Sequence, residues 1–296
     1  MRLGGRIAAA IEILSEIFDR HRPASEALKD WGKTHRFAGS GDRSAIGTLV
    51  YDVLRRRNSL GALMDGDSSR ALVLAALRHV WSRPIADIAL AVEEEHGPGG
   101  LTPDEREVLA RTDSPEWPDH IKGDYPEWLA PSFTRMFGAA AAEEGRALAS
   151  RAPIDLRVNT LKTDRAKLIK ALAKFGAVEG PLSPWCVRIA APSPEQRSPH
   201  VEAEPAHSKG WFEVQDAGSQ VAAFLSAAKA GEQVADICAG AGGKTLALAA
   251  MMQNKGQIHA HDTDRHRLRP IFERLQRAGA RNVQVIGADE GERLTA

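Results

Sequence analysis

The sequence has 296 residues, of which 43% are apolar and 26% charged, and its 39 Lys and Arg balance its 39 Asp and Glu. This composition indicates two or three folded domains and excludes general disorder, and no apolar run approaches the ~20 residues of a membrane helix. The two cysteines exclude a disulfide framework and a cysteine-based zinc site, and they suit a cytoplasmic location.

The first 130 residues have the spacing of amphipathic helices and no alternation typical of strands. Three apolar faces recur at helical spacing, and the first is formed by Ile11, Leu14, Ile17 and Phe18. Thr102 and Glu105 have the spacing of a capping box at the start of a later helix. We therefore predict an all-α domain over residues 1–130, with a proline-rich boundary loop at 111–128.

Residues 131–209 have the pattern of a small α+β module. The stretches 154–159 and 185–190 alternate apolar and polar residues, as strands with one buried face do. Between them, Thr163 is placed to cap a helix and Gly176 to end it. The order strand, helix, strand predicts a small sheet and not a long parallel one.

Residues 210–296 alternate between helices and strands. A helix that ends at Gly231 precedes a short buried strand, a glycine-rich loop and another helix. Two further strands follow, at 257–262 and 282–289, and Pro270 is expected to kink the helix between them. This order is typical of the first half of a doubly wound α/β domain.

The glycine loop is the sequence DICAGAGGKT, residues 236–245, and it fails two common nucleotide-binding patterns. Its last three residues match a triphosphate-binding loop, but Cys238 occupies the position of that loop's first glycine. The dinucleotide pattern fails because Thr245 stands where its third glycine belongs. A glycine turn without phosphate-binding residues suits S-adenosylmethionine, which contains an adenosine and no phosphates.

Two carboxylates favour this methyl-donor interpretation because each follows a strand. Asp262 comes about 20 residues after Gly242, where ribose-binding acids lie in nucleotide folds, and Asp289 ends the next strand. A generic doubly wound domain with acidic strand ends stays open as the alternative. The segment 259–266, HAHDTDRH, misses a metallo-hydrolase pattern because Thr263 replaces its aspartate, so no metal is predicted.

Three segments resemble the Fmu/RsmB-type (NOL1/NOP2/Sun) RNA (cytosine-5) methyltransferases. WFEVQDAGSQVAAFL and the glycine loop resemble the start of their catalytic domain, with Ala241 in place of the usual proline. LRVNTLK, residues 156–162, resembles part of their small middle module. RFAGSGDRSAIGTLVYDVLRR, residues 36–56, resembles their NusB-like helical RNA-binding domain.

The resemblance covers nearly the whole chain and implies a multidomain fold. An all-α NusB-like domain would occupy residues 1–130 and a small α+β module residues 131–209. Residues 210–296 would form the first half of an α/β Rossmann-like class I methyltransferase domain. The resemblance further implies a monomer that acts on RNA, most simply ribosomal RNA, in the cytoplasm.

The resemblance also assigns candidate binding residues. It implies that S-adenosylmethionine is lined by Cys238, Ala239, Gly240, Ala241, Gly242, Gly243 and Lys244. Asp262 would hold the ribose of the donor, Asp289 would lie near its adenine, and Arg267 would lie near the same site. RNA contacts are expected from Arg36, Arg43, Arg157 and Asn159.

The chemistry of the family needs two cysteines. One thiolate adds to C6 of a flipped-out cytosine, and the other helps to release the product. In the family these cysteines follow the fourth and fifth strands, whereas this sequence ends at Ala296 after the third, and neither Cys186 nor Cys238 matches them. We therefore expect no catalytic residue, no RNA methylation by this chain alone, an exposed first strand and weak donor binding.

Two other functions stay open. A non-catalytic RNA-binding protein would use the NusB-like domain, which has nine Lys and Arg against four Asp and Glu between residues 20 and 57. Steeply salt-dependent RNA binding would support this alternative. A small-molecule methyltransferase fits less well, since such enzymes rarely need so long a region as residues 1–209 before the donor domain.

Overall fold

The computed structural model describes residues 1–111, 116–193, 196 and 198–294. It divides into two compact units, the first made of residues 1–151 with 192–197 and the second of residues 152–191 with 198–296. The predicted boundary loop at 111–128 lies partly outside the described residues. The three predicted domain boundaries stay a prediction.

The first unit is helical, as the apolar spacing predicts, and the first strand of the described chain begins at Ile154. Its first seven helices are α1 (Leu3–Arg20), α2 (Ala24–Thr34), α3 (Ser40–Arg55), α4 (Arg57–Leu63), α5 (Ser69–Ala75), α6 (Ile85–Val92) and α7 (Pro103–Ala110). They are followed by α8 (Asp119–Lys122), α9 (Ala130–Phe137) and α10 (Ala141–Ala149). A π-helical turn, Ala76–Val80, continues α5, and 3-10 turns occupy Glu127–Leu129 and Gly138–Ala140.

One apolar core joins helices α1 to α7 of the first unit. Leu14 of α1, Val50 of α3 and Leu74 of α5 are fully buried in it, on the faces that the sequence predicts. The predicted capping box of α7 is confirmed. Thr102 Oγ1 accepts from the amide of Glu105 at 3.1 Å, and Glu105 Oε2 accepts from the amide of Thr102 at 2.9 Å.

The second unit begins with an antiparallel sheet. Its strands are β1 (Ile154–Val158), β2 (Val178–Glu179), β3 (Cys186–Ile189) and β4 (Phe212–Val214), in the order β2-β3-β1-β4. Helix α11 (Arg165–Ala171) buries Leu168 in the core of this sheet. The predicted strand, helix, strand order is therefore present. β4 extends the sheet past residue 209, where the sequence predicts the end of this module.

The cap of α11 differs from the prediction. Asp164 Oδ1 accepts from the amide of Lys167 at 2.8 Å, so Asp164 is the N-cap. The hydroxyl of Thr163 is buried and has no hydrogen-bond partner. Gly176 does end the helical segment, with a φ of 68° in the left-handed region.

A second, parallel sheet follows. Helices α12 (Pro205–Ser208) and α13 (Ala217–Leu225) flank β4 in the sequence, and β5 (Gln233–Asp236), β6 (Gln257–His261) and β7 (Val283–Ile286) pair in the order β5-β6-β7. The connections are α14 (Gly243–Met251), α15 (Arg265–Leu268) and α16 (Ile271–Ala278), and a 3-10 segment, Ala288–Leu294, comes last.

Three details of this region bear on the sequence predictions. Pro270 separates α15 from α16, which confirms the predicted interruption. Helix α13 ends at Leu225, short of the predicted end at Gly231, because Ala227 has a left-handed φ of 53°. β5 lies at one edge of the three strands, as the prediction requires, and Ile237 beside it is 63% exposed.

Candidate functional site

The glycine loop joins β5 to α14 at the carboxyl end of the parallel sheet. Gly240 and Gly242 have φ values of 50° and 83°, in the region that favours glycine. A Cβ atom on Gly242 would lie 2.6 Å from Cγ1 of Ile271, so packing also excludes a side chain there. The amide of Gly242 donates to the carbonyl of Ala239 at 2.8 Å, which closes the turn.

The acid after β6 lies directly against this loop. Asp262 is 3% exposed, and its two carboxylate oxygens accept from the amides of Asp264 and Gly240, each at 2.9 Å. The pKa of Asp262 lies below its ordinary value. The main cause is the hydrogen bond from the amide of Asp264, followed by that from the amide of Gly240 and by the charge of Arg267. The Arg267 guanidinium is 4.0 Å from this carboxylate. The structure therefore brings together Gly240, Asp262 and Arg267, and the acid is an anion at neutral pH.

Helix α14 starts without a side-chain cap. Its N-cap residue is Gly242, so no side chain satisfies the free amides of the first turn. Such a helix end favours a negatively charged ligand group. Lys244 is exposed in this turn, whereas Thr245 is buried and its hydroxyl donates to Asp236 at 2.7 Å. The last contact fixes the start of α14 to the end of β5.

Asp289 lines a groove at the segment that follows β7. It is exposed on the 3-10 segment after β7 and lines an open groove of about 820 Å³ together with Arg265, His266 and Phe272. Within the described part of the chain, no residue of the glycine loop lines this groove. Cys238 is also exposed, and it stands at the start of the loop.

Arg157 and Asn159, which the sequence predicts as RNA contacts, are buried inside the second unit. Arg157 is 3% exposed and donates to the carbonyl of Gly243 at 2.6 Å. Asn159 is 4% exposed, and its side-chain amide donates to the carbonyls of Gly210 and Ala278, each at 2.8 Å. The prediction that these two side chains contact RNA is therefore wrong, because both are buried and donate to carbonyls of the protein.

Arg36 and Arg43 are exposed on the first unit, before and within the start of α3. Five of the nine cations between residues 20 and 57 form ion pairs, and these are Arg20, Arg22, Lys33, Arg55 and Arg57. Arg36 and Arg43 form no such pair with any residue that the structure describes. They stay predicted RNA contacts.

Two further residues beside the loop are missing from the sequence prediction. Arg274 of α16 donates to the carbonyl of Ala241 at 2.8 Å, and it forms an ion pair at 2.8 Å with Glu213 of β4. Glu213 is 3% exposed. The sequence holds one signal for this pair, a glutamate between the apolar residues Phe212 and Val214 of a short strand.

Across residues 1–111, 116–193, 196 and 198–294, no group of three or more His, Cys, Asp or Glu is placed to hold a metal. No helix in these ranges is long and apolar enough to cross a membrane. His261, from the rejected metal pattern, is buried, and its ring lies 3.3 Å from the carbonyl of Ile286.

Two family models match this chain. The model of the 16S rRNA methyltransferase RsmB/F matches residues 223–294, and that of the RsmF/B-like ferredoxin-like domain matches residues 125–196. Residues 125–196 and 223–294 thus resemble two domains of the RsmB/F family of rRNA methyltransferases. The predicted fold class is confirmed in a helical region, a ferredoxin-like module, and the start of the parallel-sheet domain of RsmB/F proteins.

Individual relatives agree with this assignment. A probable ribosomal RNA small subunit methyltransferase B from Synechocystis sp. is 27% identical over 84% of this chain and 61% of its own length. The 26S rRNA (cytosine-C(5))-methyltransferase nsun-1 of Caenorhabditis elegans is 30% identical over 57% of this chain and 26% of its own. The crystal structure of PH0851 shares the fold, with a TM-score of 0.65 and 22% identity over 100% of this chain and 72% of that one. The chain thus spans 61% or less of the length of these two curated relatives.

Proposed function

We propose that this chain binds S-adenosylmethionine at the glycine loop, as part of an enzyme that methylates C5 of cytosine in ribosomal RNA. The observation that carries the proposal is the 2.9 Å hydrogen bond from the amide of Gly240 to Asp262. It joins the glycine turn to the acid after the next strand, which is the position that binds ribose in doubly wound domains. RsmB/F proteins use S-adenosylmethionine as the methyl donor, and relatives of this chain are named as ribosomal RNA methyltransferases.

Each side of the donor has a proposed partner. The lone pairs of Asp262 that the two amides leave free accept from the ribose hydroxyls. The uncapped first turn of α14, from Gly243 to Lys244, donates to the carboxylate of the methionine part. Residues Cys238 to Gly242 line the sulfonium side, with Arg267 beside the ribose acid. Asp289 stays proposed for the adenine.

Calorimetry of S-adenosylmethionine binding to the full chain tests the donor site. We expect weak binding, with a Kd on the order of 0.1 mM, or about −5.5 kcal/mol. Asp262→Asn should weaken binding by about tenfold or more, because the amide loses the charge and half of the acceptor sites. Glu273→Gln, which removes an exposed carboxylate from α16, is the matched control and should bind as the wild type does. Equal affinity of Asp262→Asn and wild type would reject the site.

We further propose that these 296 residues do not methylate RNA on their own. Cytosine C5 reacts only after a thiolate has added to C6, so the enzyme needs a cysteine beside the base. Cys186 is fully buried in β3, and burial raises the pKa of its thiol, which disfavours the thiolate. Cys238 is exposed but belongs to the proposed donor loop. Transfer of a labelled methyl group to cytosine-containing RNA by the purified chain would refute this proposal.

RNA binding by the helical unit completes the proposed function. Arg36 and Arg43 are exposed, and no ion pair with a described residue holds them, so both are free to contact phosphates. We keep ribosomal RNA as the proposed partner and the cytoplasm as the proposed location.

A further inference from the structure

An ionic cluster lies between the two sheets of the second unit. One is the antiparallel sheet β2-β3-β1-β4, called the ferredoxin-like sheet below, and the other is the parallel sheet β5-β6-β7. At the centre of the cluster is Glu213 of β4, which is 3% exposed. Arg274 and Arg277, one turn apart on α16, each approach its carboxylate to 2.8 Å. Charges this deep persist only when they are paired and hydrogen-bonded. Arg274 and Arg277 share the one carboxylate of Glu213, so an N–H of a guanidinium group is available for another acceptor.

The spare donor reaches the glycine loop. Nη1 of Arg274 donates to the carbonyl of Ala241 at 2.8 Å, while its Nε and Nη2 stay on Glu213. Among the described residues, the side chain of Arg277 donates to Glu213 alone. Both arginines therefore pair with Glu213, but Arg274 also contacts the carbonyl of the loop, whereas Nε of Arg277 has no hydrogen-bond partner in the described chain.

A second arginine, which is buried, contacts the same turn. Arg157 of β1 donates from Nη1 to the carbonyl of Gly243 and to Oε1 of Gln215, both at 2.6 Å. Burial lowers the pKa of Arg157 to about 10, so the guanidinium is still charged at neutral pH. Gln215 follows β4 two residues after Glu213 and therefore lies on the same face of the sheet. Residues on one face of the ferredoxin-like sheet thus anchor both arginines.

The segment LRVNTLK, residues 156–162, also holds the far end of α16. Nζ of Lys162 donates to the carbonyl of Arg277 at 2.6 Å, and Asn159 donates to the carbonyl of Ala278. These last carbonyls of a helix have no partner within the helix, and a cation there is favourable. Gly210 is required at this junction, because a Cβ atom would lie 2.0 Å from the carbonyl of Arg277. The helix that carries Arg274 is thereby fixed to β1.

We propose that Arg157 and Arg274 are positioning residues for methyl-donor binding, and that the ferredoxin-like sheet is the support that orients the glycine loop. Holding the carbonyl of Gly243 inward turns the amide of Lys244, in the same planar peptide, toward the open end of α14. Holding the carbonyl of Ala241 fixes the peptide before Gly242. Because a carbonyl held by a charged donor cannot rotate freely, the loop amides are ordered before the ligand arrives. The ligand in this proposal rests on the proposed function, whereas the order of the loop does not.

The test compares Arg274→Gln with Arg277→Gln, which remove the same kind of ion pair from Glu213. Hydrogen exchange is followed in a peptide spanning residues 238–247, with a peptide from β6 as the reference for global opening. We expect Arg274→Gln to speed exchange in the loop by about tenfold relative to β6 and to raise the donor Kd by about tenfold, or about 1.4 kcal/mol. Arg277→Gln should change both by less than about twofold.

A second pair extends the test to β1. Arg157→Gln should speed exchange in the loop relative to β6, as Arg274→Gln does. Arg188→Gln is the matched control, because Arg188 also pairs with a buried acid of this sheet, Asp155, at 2.7 Å. It should leave exchange in the loop unchanged. If Arg274→Gln does not fold, Arg274→Lys keeps the charge beside Glu213 and loses the fork that reaches Ala241. It should then speed loop exchange while the β6 reference stays unchanged.

Three outcomes would overturn the proposal, and a fourth is separate from it. Equal effects of the variants of Arg274 and Arg277 would mean that the cluster acts on stability alone. If hydrogen exchange in the loop is unchanged in the variants of Arg157 and Arg274, neither residue orients the loop. The same conclusion holds if exchange in the loop rises only as much as exchange in the β6 peptide. Absence of donor binding by the wild type would reject the proposed function, and the exchange comparison would still decide whether these residues order the loop.

Discussion

Gly242 is constrained in two separate ways. Its φ of 83° lies where a residue with a Cβ atom is strained, and Ile271 fills the space that the Cβ atom would need. Gly231 has a similar φ of 93°, but nothing lies within 4 Å of its Cβ position. The comparison separates the backbone requirement of the glycine loop from its packing requirement.

Replacing each of these two glycines with alanine measures the energetic cost of the backbone requirement and of the packing requirement. Gly231→Ala should lower the free energy of unfolding by roughly 1–2 kcal/mol, which is the cost of the left-handed conformation. Gly242→Ala should lower it by roughly 2–5 kcal/mol, because overpacking against Ile271 adds to the same strain. Urea unfolding of both variants gives the two values. Equal losses would mean that Ile271 moves aside at no cost.

The start of helix α11 depends on which of two adjacent residues is its N-cap. Thr163 and Asp164 both suit an N-cap by residue type. Asp164 takes the position, and the amide of Lys167, followed by the Lys167 side chain, lowers the pKa of Asp164 below its ordinary value of 3.8. A carboxylate at this end also interacts favourably with the helix dipole, which a hydroxyl does not.

Substitution of the two candidate caps tests this assignment. Asp164→Ala should lower the urea midpoint at pH 7, whereas Thr163→Val should not, because the hydroxyl of Thr163 has no partner to lose. The lowered pKa means that the contribution of Asp164 is complete above pH 3.8 and is lost as the pH falls through the folded-state value. The difference between Asp164→Ala and wild type should therefore vanish in acid. A difference that persists there would contradict an ionised cap.

Across the whole molecule the charges balance, but ion pairs involve only some of the cations. The chain has 39 cations and 39 anions, so its net charge does not indicate a nucleic-acid partner. In the region from residue 20 to residue 57, the ion pairs described above occupy most of the cations. Of the other cations, Lys29, Arg36 and Arg43 are exposed and have no such pair in the described chain.

RNA binding at several salt concentrations tests these two arginines. The double variant Arg36→Gln, Arg43→Gln should reduce the slope of log K against log salt by about 1.4, or about 0.7 for each lost phosphate contact. Arg20→Gln is the control, since Arg20 is 70% exposed but pairs with Glu16 at 3.0 Å. A slope that falls as much in the control as in the double variant would assign the effect to total charge.

The local sequence determined the elements of this protein and the residues of its glycine loop. Apolar spacing predicts the helices of the first unit, and alternation predicts β1 and β3, because these patterns depend on neighbours a few residues apart. The turn of the glycine loop and the acid after β6 follow from motif spacing within one strand-helix-strand unit.

Only the tertiary structure decided what the polar residues of the middle module contact. An arginine and an asparagine in a short strand are exposed in most proteins, so RNA contact is the natural prediction for Arg157 and Asn159. Their acceptors are the carbonyls of Gly243 and Ala278, which are 86 and 119 residues away in the chain. Backbone carbonyls belong to every residue and leave no mark in the sequence. The packing of α14 and α16 against β1 brings these carbonyls to the two side chains, so that Arg157 contacts the glycine loop and Asn159 contacts the end of α16.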